Sequence, residues 1–286
     1  MTTEARRKKV TIKSLQEKKA RGERITSLGV YDSPMAAIAD RVGFDLLVNG
    51  NAGPMSLFGH RDPTTVRFEE QLILTQAVSR VTEYGMVVGH LPYLSYHTSK
   101  AQAIESGGRM IAEGGADAVK CEGNEHTGEY IADMVHAGIP VMGHIGMQAS
   151  RKHEQSGFGK KGRSAQEAAQ IVRGARAFAE AGVFAFIIEQ VPAELATYLA
   201  RTLSVPVIGL VAGSDLDGVY EISGDIVGYS AFRTISNKRL FADVGPIIED
   251  GLNRYFEDSS RGVHPPEDQT LHMDTEEYKR MLEMVE

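Results

Sequence analysis

Eight short apolar runs punctuate the chain, and longer stretches with helical spacing separate them. The runs are "RITSLGVYD" (24–32), "FDLLVNGN" (44–51), "GMVVGHLP" (85–92), "DAVKCEG" (117–123), "IPVMGHIG" (139–146), "FAFIIEQV" (184–191), "VPVIGLVAG" (205–213) and "GDIVGYS" (224–230). Near-continuous runs of this length, rich in β-branched residues, are the pattern of strands buried on both faces. Between them, "SKAQAIESGGRMIAEGG" (99–115) and "SAQEAAQIVRGARAFAEAG" (164–182) carry apolar residues at helical intervals and end at glycine, a C-terminal stop signal.

Eight strand–helix alternations in 286 residues predict an α/β chain folded as a (β/α)8 TIM barrel over residues 1–266. An open, doubly wound sheet is the structural alternative, but no GxGxxG follows the first run. Beyond the strands, "GPIIEDGLNRYFEDSSRGV" (245–263) continues as helix and "HPPEDQ" (264–269) breaks it. The tail, 267–286, ends in "TEEYKRMLEMVE" (275–286), a helix expected to pack outside the barrel or onto a neighbour.

Composition narrows the function classes. A formal net charge of -7 argues against a nucleic-acid surface, which needs clustered positive charge. The single cysteine, Cys121, excludes an internal disulfide and fits a reducing compartment. No apolar run reaches the roughly 18 residues of a membrane span, and the basic start "MTTEARRKKVTIKSLQEKK" lacks the apolar stretch of a secretory signal. A cytoplasmic enzyme acting on a small molecule is the expectation, with no nucleic acid and no membrane.

Barrel enzymes carry their chemistry at the carboxyl ends of the strands. Those positions hold Asn51, His90, Lys120, Glu122, His144 and Glu189. Each has a plain structural reading as well. His90 alone reads as a hydrogen-bonded structural histidine, and Lys120 with Glu122 as an internal ion pair. Lys120 and Glu122 alternate with Cys121, so both should face one side while Cys121 packs on the other as an inert thiol. Taken together, the six groups are too costly to bury idle. A carboxylate at the end of an apolar strand suits proton removal beside a carbonyl. The resulting enolate needs positive charge near its oxygen, from a metal or a lysine. These residue types describe enolisation of a small 2-oxo acid.

The strand-end motifs "VYDSPMAAIAD", "MSLFGHRD", "HLPYLSYHT", "ADAVKCEG", "IPVMGHIGM", "EQVPAELA", "VPVIGLVAGSDLDG" and "RGVHPPED" resemble ketopantoate hydroxymethyltransferase, a family grouped with the phosphoenolpyruvate mutase and isocitrate lyase barrels. The resemblance runs from about Val10 to Pro265. It implies transfer of a one-carbon unit from 5,10-methylenetetrahydrofolate to 3-methyl-2-oxobutanoate, and a large homo-oligomer, a decamer as in the family. It also implies roles: Glu189 as catalytic base, His144 as the active-site histidine, Lys120 as substrate-binding lysine, and Glu122 as the carboxylate beside the metal. The loop "SGFGKKGR" (156–163) corresponds to a glycine-rich lid.

The sequence departs from the family at the metal. The family holds magnesium mainly with two aspartates, and here those positions are Asn51 and His90; the substrate-contacting serine is Ala52. Magnesium prefers hard, charged oxygen ligands, whereas an imidazole suits zinc, iron, cobalt, nickel or copper. Two expectations follow. Either His90, Asn51 and Glu122, with His144 near, hold a transition metal or magnesium, or a protonated His90 takes the cation's place. The departures suggest a specialised paralogue; a 2-oxo acid aldolase, lyase or hydrolase and a non-catalytic keto-acid-binding descendant are the alternatives.

Overall fold

The apolar runs become strands because each alternates between two cores. The strands are β1 (Ile25–Gly29), β2 (Leu46–Asn49), β3 (Met86–His90), β4 (Ala118–Glu122), β5 (Val141–Gly146), β6 (Ala185–Glu189), β7 (Val207–Leu210) and β8 (Gly218–Ile222). In the computed structural model, which describes residues 7–230 and 239–286, they close into one parallel barrel in sequence order. Leu46, Val48, Met86, Val88, Met142 and Ile187 fill the interior. Their neighbours Leu47, Val87, Val119, Val141, Phe186 and Ile188 face outward under the helices. A period of two thus satisfies both surfaces of the central strands.

The helices are α1 (Ile12–Ala20), α2 (Ser33–Val42), α3 (Ala52–Phe58), α4 (Phe68–Ser79), α5 (Lys100–Ala112), α6 (Gly128–His136), α7 (Ala165–Glu180), α8 (Ala193–Thr202), α9 (Ser223–Ile226), α10 (Gly245–Ser260) and α11 (Thr275–Val285). Local chemistry sets their ends. Asp32 caps α2 by accepting from the Met35 N–H, Ser99 caps α5, and Ser164 caps α7. Across the sheet, Phe178 of α7 stacks on Phe186 of β6, with ring centroids 6.4 Å apart; burying such a ring contributes roughly 1.5–3 kcal/mol.

The amino-terminal end of the barrel is closed for stability. Leu15 of α1 plugs the interior core, and Asp45 accepts from Lys18 Nζ at 2.7 Å and from the Thr26 N–H at 2.8 Å. The carboxyl end is left for side chains that point into a cavity.

One expectation changes. The run 224–230 is not the eighth strand: β8 lies earlier, at Gly218–Ile222, and α9 occupies Ser223–Ile226. "GVYEI" carries a glutamate and a tyrosine and has mixed burial, so it does not read as a continuous apolar run. It closes the barrel because Gly218 permits contact: a Cβ there would sit 2.3 Å from the Ile25 carbonyl oxygen. Neither α10 nor α11 contains a buried residue. Ile247, Leu252 and Phe256 of α10 are 69%, 62% and 70% exposed, although they recur at helical spacing.

Candidate active site

Parallel register brings the strand ends to one rim. His90 pairs with Lys120, Glu122 with His144, and Gly146 with Glu189. The pleat then sends Lys120 and Glu122 inward and Cys121 into the outer core, as their alternation predicts. Burial pushes the Cys121 thiol well up, so it stays protonated. A cavity of about 240 Å³ opens at this end, lined among others by Asn51, Ala52, Lys120, Glu122, His144 and Glu189. His90 lies just beneath it, fully buried.

Glu122 is the hub. Its Oε1 accepts from Asn51 Nδ2 at 3.1 Å and stands 3.4 Å from His144 Nδ1, 3.8 Å from Lys120 Nζ and 4.0 Å from His90 Nε2. Its Oε2 accepts the Ser150 N–H at 2.9 Å. Burial alone would raise its pKa. The close approach of His144 and the positive charge of Lys120 outweigh burial and hold the carboxyl well below the usual range. Glu122 is therefore an ionised anchor.

The chain of contacts continues to Glu189. Lys120 Nζ lies 3.1 Å from His144 Nδ1, and His144 Nε2 lies 3.1 Å from Glu189 Oε2. That second contact is close but misaligned, because Nε2 has no partner in hydrogen-bond geometry. An ammonium at Lys120 can only donate, so it engages the Nδ1 lone pair and leaves the ring proton on Nε2, facing Glu189. Burial lowers the Lys120 pKa, and the carboxylates of Glu122 and Glu189 oppose that shift.

The β2–β3 side is neutral. His90 Nδ1 meets the Lys120 carbonyl at 3.2 Å; since a carbonyl only accepts, Nδ1 carries the proton. The Nε2 lone pair then faces Ser150 Oγ at 3.4 Å. Burial, reinforced by the Lys120 charge, holds His90 well below its ordinary pKa. Both influences disfavour the charged imidazole and so count against the expectation that a protonated His90 takes the cation's place. Asn51 donates through Nδ2 to both Glu122 and Ser150 Oγ, each at 3.1 Å. Ala52 offers only a methyl group to the rim.

Two groups escaped the sequence reading. Ser150 lies on the 3-10 turn Ala149–Arg151 after β5 and had no charge or motif to mark it; its backbone N–H nevertheless ties down Glu122. Tyr220 sits on β8, the misplaced strand, and also lines the cavity. The glycine-rich loop reaches the same cavity through Phe158. A larger cavity of about 640 Å³ lies alongside, walled by Gln148, Arg151 and Lys161, and holds none of the six strand-end residues.

Comparison with known proteins bears on the chemistry. A family model described as ketopantoate hydroxymethyltransferase matches residues 9–267. The 3-methyl-2-oxobutanoate hydroxymethyltransferase of Chloroflexus aurantiacus is 40% identical over 275 residues, which are 96% of this chain and 97% of that protein. Its counterpart in Moorella thermoacetica is 39% identical over 93% of this chain and 99% of its own. Among solved structures, 2,3-dimethylmalate lyase, a PEP mutase/isocitrate lyase superfamily member, aligns with a TM-score of 0.57 at 17% identity, over 96% of this chain and 92% of that one. Phosphonopyruvate hydrolase bound to oxalate and Mg++ aligns at 0.58 and 14%, over 96% and 99%. At such identities these two structures speak to the fold alone.

Proposed function

The chain belongs to the ketopantoate hydroxymethyltransferase family and is a one-carbon transferase, and on that premise we propose that its barrel mouth enolises a small 2-oxo acid. The substrate is 3-methyl-2-oxobutanoate or a close relative. The co-substrate 5,10-methylenetetrahydrofolate supplies the one-carbon unit, giving 2-dehydropantoate or its analogue.

Glu189 is the base. Its carboxylate takes the C3 proton, and the C–H electron pair moves into the C2–C3 bond, leaving negative charge on the C2 oxygen. Lys120 binds the substrate's oxygens as an ammonium. His144 presents its Nε2 proton toward the Glu189 carboxylate, 3.1 Å away, while Glu122 anchors Lys120. Asn51 and Ala52 form the rim beside the bound acid. The observation that carries this reading is the continuous contact chain Glu122–Lys120–His144–Glu189 facing one cavity.

The family's magnesium would fall at Asn51, His90 and Glu122. That corner does not fit magnesium, because it offers one carboxylate where the family has three and both of its oxygens already accept N–H donors. The Nε2 lone pair of His90, which faces Ser150 Oγ, is a nitrogen donor that suits a softer ion better.

Proton NMR in deuterated water tests the proposal. Loss of the C3 proton signal of 3-methyl-2-oxobutanoate is expected with the wild type and not with Glu189→Gln. No exchange by the wild type across a panel of 2-oxo acids would reject enolisation. Adding the folate donor then separates transfer from lyase or hydrolase chemistry, which would turn over without it.

The assembly is a homo-oligomer, a decamer if it follows the family. Two features support this: α10 buries nothing, and on β8 the outward-facing Val219 is 37% exposed where a barrel helix would cover it. An exposed apolar helix and an uncovered strand face are complementary between copies. Sedimentation should show a multimer that shrinks when residues 245–286 are removed; a monomeric full-length chain at micromolar concentration would refute it.

A further inference from the structure

Two observations concern how this site manages positive charge, and both rest on the enolisation reading above. The first is the poverty of the metal corner. Asn51 and His90 contribute no charge, and Asn51 turns its amide nitrogen toward Glu122. A divalent ion beside Glu122 would also meet the Lys120 ammonium, 3.8 Å from the same oxygen. Among the described residues, no three His, Cys, Asp or Glu side chains stand close enough together to hold a metal ion.

The second is Tyr220. It is 6% exposed, lies on the interior face of β8, and lines the 240 Å³ cavity with Lys120 and Glu189. Glycines make the room it occupies: a Cβ on Gly29 would sit 2.6 Å from its hydroxyl oxygen. A Cβ on Gly50 would lie 3.7 Å from that hydroxyl and 4.0 Å from Lys120 Nζ. The phenol and the ammonium therefore flank the same patch of cavity floor. Tyr220 lines the cavity, where a hydroxyl can donate to a ligand's oxygen. Burial, with the Glu189 charge nearby, keeps the phenol protonated and thus a donor.

We infer that the Lys120 ammonium and the Tyr220 hydroxyl together perform the task of the family's divalent cation, binding the oxygens of the 2-oxo acid and its enolate without a metal. The deprotonation balances as before: the C3 proton passes to Glu189, and the charge on the C2 oxygen is met by two N–H or O–H donors.

The full-length protein, dialysed against EDTA, is titrated calorimetrically with oxalate, a planar dianion with the oxygen spacing of the enolate. C3 exchange of 3-methyl-2-oxobutanoate is followed in the same samples, with and without added magnesium, manganese or zinc. Oxalate affinity and exchange rate should agree within about twofold across all conditions. Tyr220→Phe should weaken oxalate about tenfold or more, the worth of one hydrogen bond to a charged group, with the thermal midpoint kept. If that variant fails to fold, Lys120→Met in EDTA provides the same reading. Oxalate binding that disappears in EDTA and returns with one of the metals overturns the inference, as does Tyr220→Phe binding like wild type. Metal-independent oxalate binding with no exchange under any condition would uphold the donor pair and reject the enolisation reading.

Discussion

The two halves of the barrel mouth are built on opposite principles. On the β4–β6 side, Lys120, Glu122, His144 and Glu189 are charged or proton-bearing and lie in an unbroken series of contacts between 3.1 and 3.8 Å. On the β2–β3 side, Asn51, Ala52 and His90 are neutral, and their polar atoms are satisfied by one another, by Ser150 and by the Lys120 backbone. The difference teaches that proton abstraction and charge balance are separable tasks. On the reading proposed above, the first rests with the β4–β6 relay and the second with the Lys120–Tyr220 pair rather than with the β2–β3 corner.

The comparison breaks first at Glu189. Replacing it by glutamine should lower C3 exchange by about 10²–10⁴, the worth of a positioned base, with little change in the thermal midpoint because the side chain reaches the cavity. An activity equal to wild type would remove the β4–β6 relay from the chemistry.

Lys120→Met should act on both sides at once. It removes a substrate donor, weakening oxalate binding about 10–100-fold, and leaves Glu122 buried with less positive charge around it. A chemical-denaturation curve should therefore show lower stability, and pH should deepen the loss. Glu122 is held well below its ordinary value of 4.5 in the folded state, so its stabilisation is present above that value and lost as pH falls through the acid range. Removing Lys120 weakens the depression and shifts the acid unfolding limb upward in pH.

The double change Asn51→Asp with His90→Asp sharpens the contrast by restoring charge to the neutral side. Magnesium should then bind, as read by calorimetry, and the metal-free double variant should be less stable than wild type because three carboxylates crowd together. Magnesium binding equally to wild type would contradict the division of tasks.

The smallest effect lies at the edge of the neutral side. Burial, reinforced by the Arg151 charge, lowers His97 from 6.5 to about 4. The unfolded chain thus takes up a proton near pH 6.5 that the folded chain refuses until about pH 4. Stability should fall as pH drops through that window and level off below it. In urea titrations at pH 7.5 and pH 5, His97→Phe should lose less between the two than wild type.

The barrel was legible because strands buried on both faces write themselves as apolar runs. The one misplaced strand shows the limit: β8 uses Tyr220 and Glu221 at mixed burial, and it closes the sheet through the backbone contact that Gly218 allows. Five of the six strand-end residues line one cavity and His90 lies directly under it, so reading positions after apolar runs led to a single cavity at the barrel mouth. Tyr220 was missed with its strand, and Ser150 because its contribution is a backbone N–H. The exposed face of α10 was readable as amphipathic, but periodicity does not say which surface covers it.

The sequence by itself determined the alternation of strands and helices, the inward direction of Lys120 and Glu122, and the loss of charge at Asn51 and His90. Those are local matters, set by periodicity and side-chain chemistry. Only the tertiary structure decided which atoms meet across the rim: the amide of Asn51 turned to Glu122, the neutral state of His90, the relay ending at Glu189, and the phenol of Tyr220 beside the ammonium of Lys120. The reason is that charge state and hydrogen-bond direction depend on burial and on distances between strands, which exist only once the barrel has closed.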